Sequence, residues 1–183
     1  FGCNIIDKAG NAGTAIYTGK DFTINAKRDN SSALVFENSD GFKASVLPNT
    51  VDGSLSIHIT PASTDTTKLA DFATTDSSEL RVVYMPRDFK AKDGSGNIID
   101  SFSKPVTLIF PYYDSDGDGR TDGDYIDVST LFVHYLDPSS VKWVPLANSV
   151  IDRENRQVSA AVNHFSIYSL RSVNYSLLSF NVA

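Results

Sequence analysis

The chain has a single cysteine, a single tryptophan and a single methionine among its 183 residues. One cysteine makes no internal disulfide, so the fold must rest on its core and not on crosslinks. For Cys3 two readings stand: a bridge to another chain, or a small buried apolar side chain. No run of Lys or Arg is present. That removes the electrostatic footprint of a nucleic-acid binder and of a protein held on an anionic membrane. The apolar runs fall far short of a bilayer span, so no membrane insertion is expected. Helical periodicity is scarce as well. The best stretch, Thr67–Phe72, gives one or two turns, inside a Ser-, Thr- and Asp-rich segment (63–78) that reads as a surface loop.

What is present is apolar content of 41%, enough for a real core, in short runs of β-branched or alternating residues. Gly, Asn, Asp, Ser and Pro punctuate them. The expected strands are Thr14–Tyr17, Phe22–Ala26, Ala33–Glu37, Lys43–Leu47, Ser54–Thr60, Leu80–Tyr84, Val106–Phe110, Thr130–Leu136, Lys142–Pro145, Gln157–Val162 and Phe165–Leu170. Leu55, Ile57 and Ile59 alternate with Ser56, His58 and Thr60, the pattern of a half-buried strand. Asp93-Gly-Ser-Gly96 signals a hairpin turn, and further turns fall at 138–140 and 152–155. Many short strands at regular spacing predict an all-β fold: a single-domain antiparallel β-sandwich with extra terminal strands. At the C-terminus Leu178, Phe180 and Val182 alternate with Ser179 and Asn181. Three readings fit this tail: an edge strand, the start of another domain, or a strand donated to a neighbouring copy.

Charge is concentrated in one place. The net charge is −6, yet without the six aspartates and one arginine of segment 114–127 the remainder carries 15 basic against 16 acidic residues. That segment reads Asp-Ser-Asp-Gly-Asp-Gly-Arg-Thr-Asp-Gly-Asp-Tyr-Ile-Asp. Carboxylates this close repel one another, and the usual reason for gathering them is a hard cation with oxygen ligands. Asp114, Asp116 and Asp118 match ligand positions one, three and five of the helix-loop-helix calcium loop. Gly119 matches the turn glycine, the Arg120 carbonyl position seven, and Asp122 position nine. Position twelve is Tyr125, not Glu, so Asp124 or Asp127 must serve there or the site is weaker. The flanks read as strands. The loop therefore resembles the Asp-x-Asp-Gly-Asp-Gly loops of extracellular calcium modules, and Ca2+ is the expected cofactor. The plainer alternative is a solvated acidic turn.

A second resemblance covers about Gly41 to Leu170. Ala44-Ser-Val-Leu-Pro48 is followed by Ser54–Ala62, then by Phe102-Ser-Lys-Pro-Val-Thr-Leu108. Leu131–Tyr135 follows with Trp143-Val-Pro-Leu146, and then Gln157–Val162 with His164-Phe-Ser-Ile-Tyr168. In order and spacing this resembles the β-sandwich domain shared by ankyrins, netrin receptors and zonula-occludens scaffolds, which bacterial surface proteins also carry. Residues 1–40 lie outside it as N-terminal strands, and 171–183 form a C-terminal strand or tail. In some relatives the His-Phe-Ser triplet cleaves itself. Carried over, His164 is the base, Ser166 the nucleophile and the Phe165 carbonyl the target, with a strained amide required. The alternative is that the triplet is strand packing.

No zinc spacing links His58, His134 and His164. Trp143 with Tyr135 and Pro145 is expected to fill the core, and a sugar-stacking platform is the sharper alternative. The expectation is a secreted or cell-surface structural or adhesive module stabilised by calcium. Its partners are other protein subunits, identical copies joined through terminal strands to form a fibre among them. Two rival classes remain: a domain that cleaves itself once and has no other enzymatic activity, and a module that binds glycan.

Overall fold

The computed structural model describes residues 2–6, 12–18, 21–24, 28–62, 86–140 and 142–172, the first three segments as backbone only. Strands β1 (Gly2–Ile6), β2 (Ala12–Thr18) and β3 (Asp21–Ile24) form a three-stranded antiparallel sheet. The remaining strands build two larger antiparallel sheets packed together. One has the order β11-β10-β14-β8-β7-β4, from Lys142–Pro145, Leu131–Asp137, Ile167–Ser172, Arg87–Asp93, Ser54–Pro61 and Arg28–Asp29. The other has the order β12-β13-β9-β6-β5, from Val150–Asp152, Gln157–Val162, Val106–Pro111, Lys43–Val46 and Leu34–Glu37. The protein is thus an all-β sandwich, as its sequence predicts. Strands β4 and β5 lie before Gly41 yet pair into the two sheets, so the sandwich begins earlier than the stretch of family resemblance.

Period-two alternation decides which side chains enter the space between the sheets. From one sheet come Leu55, Ile57 and Ile59 of β7, Phe89 and Ala91 of β8, Leu131 and Val133 of β10, and Tyr168 and Leu170 of β14. From the other come Ala44 and Val46 of β6, Val106, Leu108 and Phe110 of β9, and Val158, Ala160 and Val162 of β13. Each large apolar side chain so buried contributes about 1.5–3 kcal/mol. Aromatic rings pack both across and within the layers: Phe89 of one sheet meets Phe110 of the other at 5.9 Å. Phe42 meets Phe110 edge-on at 5.4 Å, and Phe89 meets Tyr168 edge-on at 5.7 Å.

Strand β8 is absent from the sequence expectation. Arg87, Asp88, Lys90 and Lys92 surround its two inward residues and mask the alternation. Its first residue, Arg87, pairs with Asp40 at 2.8 Å and lies over the Phe42 ring at 4.7 Å. The predicted hairpin turn follows β8, with Asp93 accepting the Gly96 and Ser95 amides at 3.0 and 2.8 Å. Trp143 departs from its expected place in the core. It pairs with Leu136 across β10 and β11, and Leu136 alternates with the core-facing Val133 and Tyr135. The indole is therefore buried on the opposite face of its sheet, and only Tyr135 packs against the core. The expected strand Leu80–Tyr84, the turns at 67–72, the loop 63–78 and the tail 174–183 lie outside the described residues, as does the Cys3 side chain.

Candidate metal centre

The acidic segment connects β9 of one sheet to β10 of the other. Phe110 is wholly buried at the end of β9, and Tyr112, held by its amide to the Arg156 carbonyl at 2.9 Å, is buried just beyond it. The far end is pinned by Ile126 and Val128, both in the core. Between these anchors the chain folds on itself as a small hairpin. The Asp122 amide donates to the Tyr113 carbonyl at 2.8 Å, Thr121 to Ile126 at 2.9 Å, and Val128 to Gly119 at 3.0 Å. Gly119 has φ +83°, and a Cβ there would lie 3.3 Å from Arg153 Nη1, so both backbone and space favour glycine. Tyr125 has φ 52°, an uncommon conformation for a bulky residue. Its amide donates to the Thr121 carbonyl at 3.0 Å, and Arg120 Nη1 donates to its carbonyl at 3.1 Å.

The carboxylates divide into groups. Asp114 is only 6% exposed, and its two oxygens accept the Gly117 and Gly119 amides at 2.8 and 3.1 Å. Asp116 accepts the Asp118 amide at 3.2 Å, and Asp122 accepts the Ser115 amide at 3.0 Å. One oxygen from each of Asp114, Asp116 and Asp122 lies within 4.8 Å of the others. Oxygens on opposite sides of a calcium ion, each at about 2.4 Å, stand about that far apart. An accepted amide uses one lone-pair direction of an oxygen and leaves another for a cation. These three residues could hold a metal ion.

The other predicted ligands are placed differently. Asp118 accepts the Arg120 amide at 2.7 Å and, with Asp116 and Asp122, lines a cavity of about 100 Å³ beside Tyr125, outside the three-carboxylate group. The flanking ladder bonds use the Gly119 carbonyl and Thr121 amide, so the Arg120 carbonyl is not consumed by the pairing. Asp127 caps the short 3-10 helix Val128–Thr130, accepting the Ser129 amide at 2.8 Å and its hydroxyl at 2.7 Å. Those bonds hold its carboxyl below the usual range. Asp124 is exposed and stands outside the group. Of the two candidates for position twelve, Asp127 is engaged as a cap.

One neighbour, Arg153, carries no local sequence signal. It comes from the turn between β12 and β13, reaches the loop at Gly119 and helps lower the Asp127 carboxyl. Burial, and then the Asp114 charge, raises the Tyr112 phenol.

The triplet His164-Phe165-Ser166 sits at the entry to β14. The Phe165 ring packs against Phe102 at 4.7 Å and Phe89 at 5.7 Å. The Ser166 hydroxyl donates to the Leu136 carbonyl at 3.3 Å, and the Tyr168 hydroxyl to the His164 carbonyl at 2.7 Å. The His164 ring nitrogen lies 3.4 Å from the Phe165 carbonyl oxygen, the expected target, and not against the expected nucleophile. None of the three residues has a positive φ, and their peptide bonds are trans. These contacts are those of packing.

His58 on β7 and His134 on β10 are separated by β14 and β8, roughly 14 Å at the usual strand spacing. The one metal-capable group among the described residues contains no histidine. Trp143 is 8% exposed, with the Arg171 guanidinium 4.0 Å over its ring.

No protein-family model matches the chain, and no curated protein matches it.

Proposed function

We propose that this chain is a structural or adhesive β-sandwich module of an extracellular or cell-surface assembly, with calcium as the cation of its acidic loop. The observation that supports this best is the convergence of the Asp114, Asp116 and Asp122 oxygens within 4.8 Å. Bound there, a divalent ion cancels the repulsion among carboxylates and ties the loop to its core anchors. Calcium suits the site better than magnesium. It accepts six to eight ligands in adaptable geometry, whereas magnesium demands a near-ideal octahedron and holds its water. With three carboxylates and no acidic residue at position twelve the affinity is modest, which fits the millimolar calcium outside cells. The likeness to the ankyrin, netrin-receptor and zonula-occludens sandwich rests on the sequence resemblance and supports the same structural role.

Thermal unfolding with and without calcium tests the cation. Saturating calcium at about a hundredfold over Kd adds about 2.7 kcal/mol, or roughly 5–10 °C for a chain of this size, and EDTA reverses it. An identical melt in both conditions removes calcium from the proposal. Assembly is tested separately. We assign the joining of identical copies to their terminal strands, so deleting 174–183 is expected to yield monomers, and oligomers that persist rule that tail out.

A further inference from the structure

The face of the six-stranded sheet that points away from the core carries a second polar cluster, of opposite character. His134 pairs with Ser169 and Phe132 with Arg171, so His134 and Arg171 share that face, and Trp143 joins them through its pairing with Leu136. The burial is deep: His134 is 0% exposed, Arg171 3% and Trp143 8%. Arg171 stacks on the Trp143 ring at 4.0 Å. Among the described residues, three buried nitrogens here have no hydrogen-bond partner: Arg171 Nε, Trp143 Nε1 and His134 Nε2. No ion pair reaches Arg171 among the described residues. Asp88 shares the face but lies opposite Ile167, four residues along β14, and is held by Lys90 at 2.6 Å.

A buried guanidinium whose Nε lacks an acceptor, with no counter-ion among the described residues, is costly. Native interiors avoid such unpaired groups. We propose that this enclosed face binds an oxyanion of the carboxylate class, with the Arg171 and Trp143 N–H groups as its donors. Stacking brings the guanidinium and the indole together, and a carboxylate that accepted an N–H from each would be held in a charge-assisted arrangement. Burial alone acts on the Arg171 guanidinium, lowering it to about 10, with no acid raising it. A carboxylate seated there supplies the missing charge. The neutral His134 donates its Nδ1 proton to the Phe132 carbonyl at 3.0 Å.

The chain's only tryptophan is part of the site, so its emission reports binding directly. The intact chain is titrated with sodium acetate against sodium chloride at matched ionic strength, and in a parallel series the protein alone is concentrated. The expected result is a saturable change in acetate and none in chloride. Arg171→Met abolishes it. Arg171→Lys, which keeps the charge but loses the planar stacked fork, weakens it by about tenfold. A change that follows protein concentration only, and is lost in Arg171→Met, assigns the carboxylate to a neighbouring copy. Should Arg171→Met not fold, the single indole N–H resonance of the native chain, shifted downfield by acetate, serves in its place. An indole resonance and emission unmoved in both series, or an acetate response that persists in a folded Arg171→Met, overturns the proposal.

Discussion

The molecule gathers negative charge in its acidic loop and buries a lone guanidinium on the outer face of the six-stranded sheet, and it treats the two in opposite ways. In the acidic loop negative charge lies at the surface, and Asp114, Asp116, Asp118, Asp122 and Asp127 each accept a nearby backbone amide. On the outer face of the six-stranded sheet a guanidinium is buried, and among the described residues Arg171 Nε and Trp143 Nε1 have no acceptor. The loop can therefore form before any ion arrives, since its own backbone already organises the side chains. The face gains its missing bonds only from something added. Loop charge is solvated and local, whereas face charge is desolvated and sensitive to any change of protonation.

The contrast is broken most severely at Asp114. Replacing it by Ala strands the Gly117 and Gly119 amides and removes the most buried ligand, so in calcium it is expected to cost about 3–4 kcal/mol in a urea melt. It also abolishes the calcium-dependent rise in Tm. Acid tests the other region. Burial lowers the His134 imidazole from 6.5 to about 4. Between those values the unfolded chain binds more protons than the folded one, so stability falls as pH drops from 6.5 and levels off below about 4. The loss is about 3 kcal/mol, and His134→Gln removes most of it. His58, also lowered by burial and then by Lys92 and Lys90, contributes in the same direction. A pH profile unchanged in His134→Gln would show that the imidazole is not held neutral by the fold.

Smaller effects sharpen the picture. Asp127→Ala removes the cap of the 3-10 helix and is expected to cost about 1 kcal/mol by the same melt, while leaving a calcium response mediated by Asp114, Asp116 and Asp122. A lost calcium response would place Asp127 among the ligands. Smallest of all is the expected effect on chain integrity. An intact-mass spectrum shows one unbroken chain, identical in form for Ser166→Ala. A fragment pair split between Phe165 and Ser166, absent from that variant, would establish self-cleavage.

The architecture was legible where alternation was undisturbed. Strands β11 and β13 match the sequence reading residue for residue, and β7 and β9 extend it by one residue. Strand β8 was hidden because its outward residues are nearly all charged. Strand β12 was hidden because it is a three-residue edge. The acidic cluster was legible from spacing alone, but its division was not, since that depends on which amides the loop turns toward each carboxylate. Arg153 was invisible because it comes from a distant turn. The burial of Trp143 away from the core follows from strand register, which composition does not encode.

The acidic loop is the covalent crossing from β9 in one sheet to β10 in the other, and its anchors Phe110, Ile126 and Val128 sit in the shared interior. The chain also crosses between the layers at β4–β5, β6–β7, β8–β9, β11–β12 and β13–β14, so this short hairpin carries one share of any tension that tries to peel them apart. On the proposed reading, an ion clasped across its turns would stiffen that crossing, and a load-bearing module outside a cell would then hold or yield according to the mineral content of the surrounding fluid.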